Sequence, residues 1–291
     1  MFNWPLKLRH QTDFCTPKGP SFKFSGHVSF SIGGTNISFR APRHSFASKL
    51  EPIRPYSIHD VNDLRMRPRS HDNDHDKWLY QSFFRRQWEF YGPWFSGFKG
   101  DLILDIAVIS RNEDSDLASN YRPRVLESSI ADYLKIVYSD DLYEGAQQWH
   151  APVDWTVIKV WPCVAVTFYA KPNDEVPGCH SPCRYVVFPI SDKHLIRMSF
   201  DLGRGAGRQY EQDKIVDIAP LEKLSSDIIN SIQVKLSPEA LAQQAKALEG
   251  IEDTSLSESF PPIKFTTPEQ DAEHERYLQE EKRIQDILKG K

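Results

Sequence analysis

Apolar and polar residues alternate in "GHVSFSI", where Val28, Phe30 and Ile32 share one side, and again in "NISF", with Ile37 and Phe39. Period-two alternation is the mark of a half-buried strand, and Gly33-Gly34 between the two runs predicts a β-hairpin. From Trp78 the pattern changes. In "KWLYQSFFRRQWEFY", Leu79, Phe83 and Phe90 lie on one side of a helical projection with Tyr80, Phe84, Trp88 and Tyr91 beside them. That wide stripe predicts an amphipathic helix over 78–91, ended by Gly92-Pro93. "DLILDIAVIS" is nearly continuous in apolar and β-branched residues and predicts a central strand. After Pro123, the spacing of Leu126, Ile130, Tyr133, Leu134 and Val137 predicts a second helix.

Four strand-like runs follow: "WTVIKVW", "VAVTFYA", "RYVVFPI" and "HLIRMSFDL". In the last, Ile196, Met198 and Phe200 face one way while Arg197, Ser199 and Asp201 face the other, so the sheet has one covered face and one partly wet one. Leu221, Leu224, Ile228 and Ile232 form a third helical stripe. Ser237-Pro238 opens a fourth helix, which Gly250 closes. Hairpins with interspersed helices predict the α+β class. The expected core is one domain over 21–236, a mainly antiparallel sheet packed against helices near 78–91, 123–139 and 217–232. Residues 1–20 read as an N-terminal arm and 237–291 as C-terminal helices and linker. Prolines and charges mark 41–77 as a surface excursion. Residues 251–267 read as a linker to a charge-rich helix over 268–288. Its seam holds only Tyr277, Ile284, Ile287 and Leu288, which places it at the surface or against a partner.

A length of 291 residues suits one large core, and 40% hydrophobic with 26% charged residues is an ordinary globular balance. The net charge of −4 is unevenly spread, because the first seventy residues are basic and the remainder acidic. No basic stripe of the kind that grips nucleic acid appears, and nucleic-acid binding is not expected. The chain begins without a secretory apolar stretch and holds no membrane-length apolar run, so a cytoplasmic protein with no membrane partner is expected. Its four cysteines are too sparse for a disulfide scaffold.

Several motifs offer chemistry. "HDNDHD" at 71–76, with His59-Asp60 upstream, supplies metal-ligand types. It sits in a loop before the helix start at Asp76, lacks the glycine and glutamate of a calcium loop, and reads as solvated. The alternative it leaves is a metal-dependent hydrolase using His59, His71 and His75 with their aspartates. "CHSPC" offers Cys179, His180 and Cys183, but a zinc would need a fourth ligand from elsewhere. The glycines at 203, 205 and 207 do not lead into a helix as a dinucleotide loop would. His150, His180 and His194 have no readable catalytic partner, so no catalytic residue, metal or cofactor is assigned. The aromatic segment reads first as filling the main core, and the alternative is that Trp94, Phe95 and Phe98, which leave the stripe after Gly92-Pro93, form an exposed anchor for a protein partner.

The opening G-x-V-x-F-x-I hairpin, "WEFYGPWFSGFKGDL", "FPISDKHLIRMSF" and "IINSIQVKLS" together resemble the cytoplasmic immunity proteins encoded beside bacterial type VI secretion toxins. The last two pieces also resemble the closing strands and helix of the PsbP/Mog1-like α+β sandwich. The resemblance implies a non-catalytic protein that blocks one cognate toxin by occluding its active site. Two acidic loops, with Glu113, Asp114 and Asp116 in one and Asp140, Asp141 and Glu144 in the other, flank the second helix. They would steer such a chain toward a basic toxin site.

Overall fold

A computed structural model of the chain describes residues 13–68, 78–93, 96–111, 118–173, 176, 181–205 and 215–289. The early elements are β1 (Gly26–Ile32), β2 (Thr35–Ala41), β3 (Arg67–Pro68), β4 (Trp78–Tyr91), β5 (Phe98–Arg111) and α1 (Pro123–Tyr138). Next come β6 (Leu142–Tyr143), β7 (Ala146–Gln147), β8 (Trp149–Val157), β9 (Val166–Pro172), β10 (Cys183–Pro189) and β11 (His194–Arg204). The chain closes with α2 (Ala219–Asn230), β12 (Gln233–Lys235), α3 (Pro238–Leu248) and α4 (Pro268–Lys289). The fold is α+β. The main sheet runs β3-β4-β5-β11-β10-β9-β8 with antiparallel neighbours throughout, and a smaller sheet places β2 between β1 and β12.

The helix expected over 78–91 is a strand. β4 and β5 each run fourteen residues and pair along their length, with a register shift between Ser82 and Phe84. At that bulge Phe83 and Phe84, adjacent in sequence, both enter the same core and are fully buried. An inserted residue advances the two-residue period by one position, so two aromatics that would face opposite ways share a face. The resulting pattern imitates a helical stripe. The helices at α1, α2, α3 and α4 stand where their apolar spacing places them, each of them opened by or near a proline that needs no intrahelical donor.

Two layers of side chains cover the main sheet. On its first face, Leu104 and Ile106 of β5 and Met198 and Phe200 of β11 pack against Phe30 and Phe39 of the hairpin and Leu221 and Ile228 of α2. On its second face, Ile109, Tyr185, Val187 and Phe168 pack beneath Leu126, Ile130, Tyr133 and Leu134 of α1.

The excursion over 41–66 does a structural job at the outer edge of β4. Ser45 N–H donates to Gln87 O at 3.0 Å, Ile53 and Arg85 exchange two bonds of 3.1 Å, and further along the chain β3 pairs with Leu79 and Tyr80. Lys18 and Tyr91 pair at the opposite end of the same strand. Covering the edge removes the open ladder that an exposed long strand would offer to other chains. Residues 251–267, expected as a linker, lie as a strap on the second core. Leu256 and Phe265 are buried there, Ile263 N–H donates to Ala151 O at 2.8 Å, and Trp155 donates its indole N–H to Ser257 O at 2.9 Å. α4 beyond the strap exposes Leu278, Ile284, Ile287 and Leu288.

Candidate functional site

Alternation along β4, β5 and β11 sends one set of side chains into the first core and the other onto the second face. Antiparallel register then stacks the second set in rows across the strands. Glu89 stands with Asp101, Gln87 with Ile103 and Asp201, Arg85 with Asp105 and Ser199, and Ser82 with Ala107 and Arg197. α1 covers this face around Trp78, Ile109, Leu195 and β8–β10. Beside it lies a groove of about 410 Å3 between Tyr133 of α1 and Leu50 of the edge-covering loop. Tyr80 and Ile103 give the groove apolar wall, and Arg85, Asp105, Arg197, Ser199 and Asp201 give it polar wall.

Asp105 is the hub. Its Oδ1 accepts from Ser82 Oγ at 2.6 Å and from Arg85 Nε at 3.0 Å, and its Oδ2 accepts from Arg197 Nη2. Arg197 also donates through Nη1 to Ser199 Oγ at 3.0 Å, while its buried Nε has no hydrogen-bond partner among the described residues. The side chains of Asp105 and Arg197 are 11% and 10% exposed, whereas Arg85 is 34% exposed and reaches the mouth. Burial works against the charge on Arg197, but Tyr133 and Asp105 beside it more than offset this and its pKa is raised. Two guanidinium groups therefore share one carboxylate, in a geometry rich in donors.

Further acids, Asp101 and Glu89, lie beyond the Asp201 end of the groove. Burial raises the Asp101 pKa, a hydrogen bond from Gln87 opposes the rise, and the nearby Asp201 and Glu89 charges add to it. Cys183 faces Asp201 across the β10–β11 pair, and burial followed by the Asp201 carboxylate pushes its thiol well above the usual range. Beneath α1, Tyr138 and Tyr185 join hydroxyls at 2.6 Å, and burial raises both phenols. The arrangement is suited to recognising a polar or charged group against a fixed set of donors and acceptors.

Of the residues singled out in sequence, Phe98 begins β5, is 41% exposed and meets the Tyr91 ring edge-on at 6.2 Å; Tyr91 is 43% exposed. The turn between them is closed by Gly92 N–H donating to Gly97 O at 2.9 Å and Ser96 Oγ donating to Pro93 O at 2.8 Å. A Cβ at Gly205 would stand 2.2 Å from the Phe98 ring, so that glycine serves close packing at the tip. Trp94 and Phe95 lie outside the described residues, as do Glu113, Asp114 and Asp116. Asp140, Asp141 and Glu144 follow α1 and are exposed, and none of them lines the groove. Asp141 accepts the Trp149 indole N–H at 3.0 Å, and the Glu144 carbonyl accepts from His274 Nδ1 at 2.9 Å. Those two positions therefore fasten β6–β7 to β8 and α4 as well as presenting charge.

His59 is exposed, and His71, His75, Cys179 and His180 lie outside the described residues. Among the described residues, no three His, Cys, Asp or Glu side chains are grouped to hold a metal, and no helix is long and apolar enough to cross a membrane. Cys183 is buried inside β10, and His194 exchanges a 2.8 Å bond with Ser191 while burial lowers its pKa. Sequence reasoning placed Arg197, Ser199 and Asp201 on the wet face but missed Asp105 and Arg85. Asp105 is hidden in a run that otherwise reads as fully buried, and Arg85 falls just past the bulge that disguised β4. No protein-family model matches this chain, and searches of curated proteins and of solved structures return no match either.

Proposed function

We propose that this chain is a non-catalytic binding protein, specifically an immunity protein that neutralises a cognate secreted bacterial toxin by occluding its active site. The observation that carries the reading is the aromatic tip of the β4–β5 hairpin. Tyr91 and Phe98 are both exposed at the end of a long paired hairpin whose turn is pinned by backbone and side-chain hydrogen bonds. The loop between them adds Trp94 and Phe95 in sequence. Aromatic side chains held on a rigid element bury much area for little lost side-chain freedom, which is what the centre of a tight interface requires. The layout resemblance to type VI immunity proteins supplies the class of partner. The acidic loops bearing Asp114 and Asp140 supply long-range attraction to a basic active site.

The test is co-purification of the untagged chain with the product of the neighbouring gene, repeated with Tyr91→Ala and Phe98→Ala combined. A stoichiometric complex that the double variant loses supports the reading. Failure of the wild-type chain to bind that product would sink it. Stoichiometric zinc, manganese or iron in protein purified without chelator, lost in a His71→Ala, His75→Ala variant, would replace it with a metal-dependent hydrolase.

A further inference from the structure

We propose that the groove on the second face of the main sheet binds a small monoanionic carboxylate that carries a hydrogen-bond donor at its far end. This goes beyond the partner reading and uses a different surface from the hairpin tip. The inference starts from the two arginines. Arg85 and Arg197 converge on the single carboxylate of Asp105, and between them they hold far more N–H groups than that carboxylate and Ser199 can accept. The Arg197 side chain is nine-tenths buried along the groove wall, whereas Arg85, 34% exposed, brings its guanidinium to the mouth. A planar carboxylate matches a guanidinium edge with two parallel bonds, and the Arg85 guanidinium at the mouth, bound to Asp105 through Nε, has Nη nitrogens to offer one.

Charge count selects the ligand's valence. The groove is lined by two arginines and by Asp105 and Asp201, so its wall is formally neutral. A phosphate dianion would bring uncompensated charge against two carboxylates, whereas a monoanion seated at the arginine end is balanced locally. Asp201 stands four residues from Arg197 along β11, about 13 Å of strand, and therefore marks the opposite end. A hydroxyl on the ligand would meet it there. Tyr80, Tyr133, Leu50 and Ile103 lie between these poles and suit an aromatic or aliphatic body. A volume of about 410 Å3 falls within the range of small-molecule sites.

The probe is 4-hydroxyphenylacetate, titrated calorimetrically into the full chain at constant ionic strength. Phenylacetate, 4-hydroxyphenylacetamide and inorganic phosphate are run alongside. The expected result is saturable one-site binding of the hydroxy acid, with the amide weaker by about ten-fold or more because the arginine bonds are lost. Arg85→Gln should weaken the acid far more than the amide. Asp201→Asn should remove the advantage of the hydroxy acid over phenylacetate. Phe98→Ala should leave all of these values unchanged, so failure here is separable from failure of partner capture. The proposal is overturned if acid and amide bind equally, if no carboxylate saturates, if phosphate binds more tightly than either acid, or if both groove variants retain full binding. Should Arg85→Gln not fold, the acid-against-amide comparison on the wild-type chain still decides.

Discussion

Replacing Phe265 by alanine should cost the fold about 3 kcal/mol, the lower end of the usual range for a buried phenylalanine. Phe265 is 7% exposed and its ring lies 5.9 Å from that of Tyr138, which packs in turn on Trp149 at 4.9 Å. Truncation removes most of that contact and opens a void beneath α1, while the Phe265 N–H keeps its 3.1 Å bond to Gln147 Oε1. The lower end of the range applies because the strap is a single layer, free to settle inward. Ile287→Ala, at a position 54% exposed on α4, is the control and should change stability by less than about 0.5 kcal/mol. Urea unfolding followed by tryptophan fluorescence reads both, because Trp149 and Trp155 line the strap. The midpoint should fall in Phe265→Ala at unchanged m-value. A Phe265→Ala midpoint equal to wild type would refute the reading of 251–267 as part of the core. A chain ending at Thr267 should melt like the full chain, and one ending at Gly250 should be markedly less stable.

Other outcomes follow from the buried polar groups. Asp105→Ala strands the buried Arg197 guanidinium and should cost about 3–5 kcal/mol, whereas Asp105→Leu combined with Arg197→Met should recover much of that loss in the same urea assay. Burial pushes the Cys163 thiol from about 9 to about 12, so the unfolded chain ionises first; stability is full below pH 9 and falls as pH rises from there toward 12. That single group contributes a loss of about 1.4 kcal/mol by pH 10, and Cys163→Ala should remove about that much of the stability lost between pH 8 and pH 10. Burial lowers the His194 pKa, so the unfolded state takes up the proton more readily. Stability should be full above pH 6.5 and should decline as pH falls below it, and His194→Asn should reduce that decline in acid titrations.

Much of the fold is legible in the sequence because most elements obey one period throughout. The β1–β2 hairpin, β5, β10 and β11 keep strict alternation or continuous apolar character, and α1 and α2 keep helical spacing. β4 is misread because one inserted residue at Phe83 mixes two phases within a run already crowded with aromatics. The strap at 251–267 is misread for the opposite reason. Its buried residues Leu256 and Phe265 are spaced irregularly, as befits extended backbone packed by isolated side chains, and no window of fixed period detects them. The groove is half legible: alternation in "RMSFD" exposes Arg197, Ser199 and Asp201. Their partner Asp105 comes from a strand paired across about ninety residues of sequence, and such pairing leaves no local trace.

Growth rescue tests the binding claim most directly. If the product of the neighbouring gene is the proposed toxin, cells expressing it should survive when the wild-type chain is co-expressed. They should die with the Tyr91→Ala, Phe98→Ala variant at equal soluble level. Survival that is independent of the aromatic tip, or death despite abundant wild-type chain, would contradict the claim that this surface occludes a toxin.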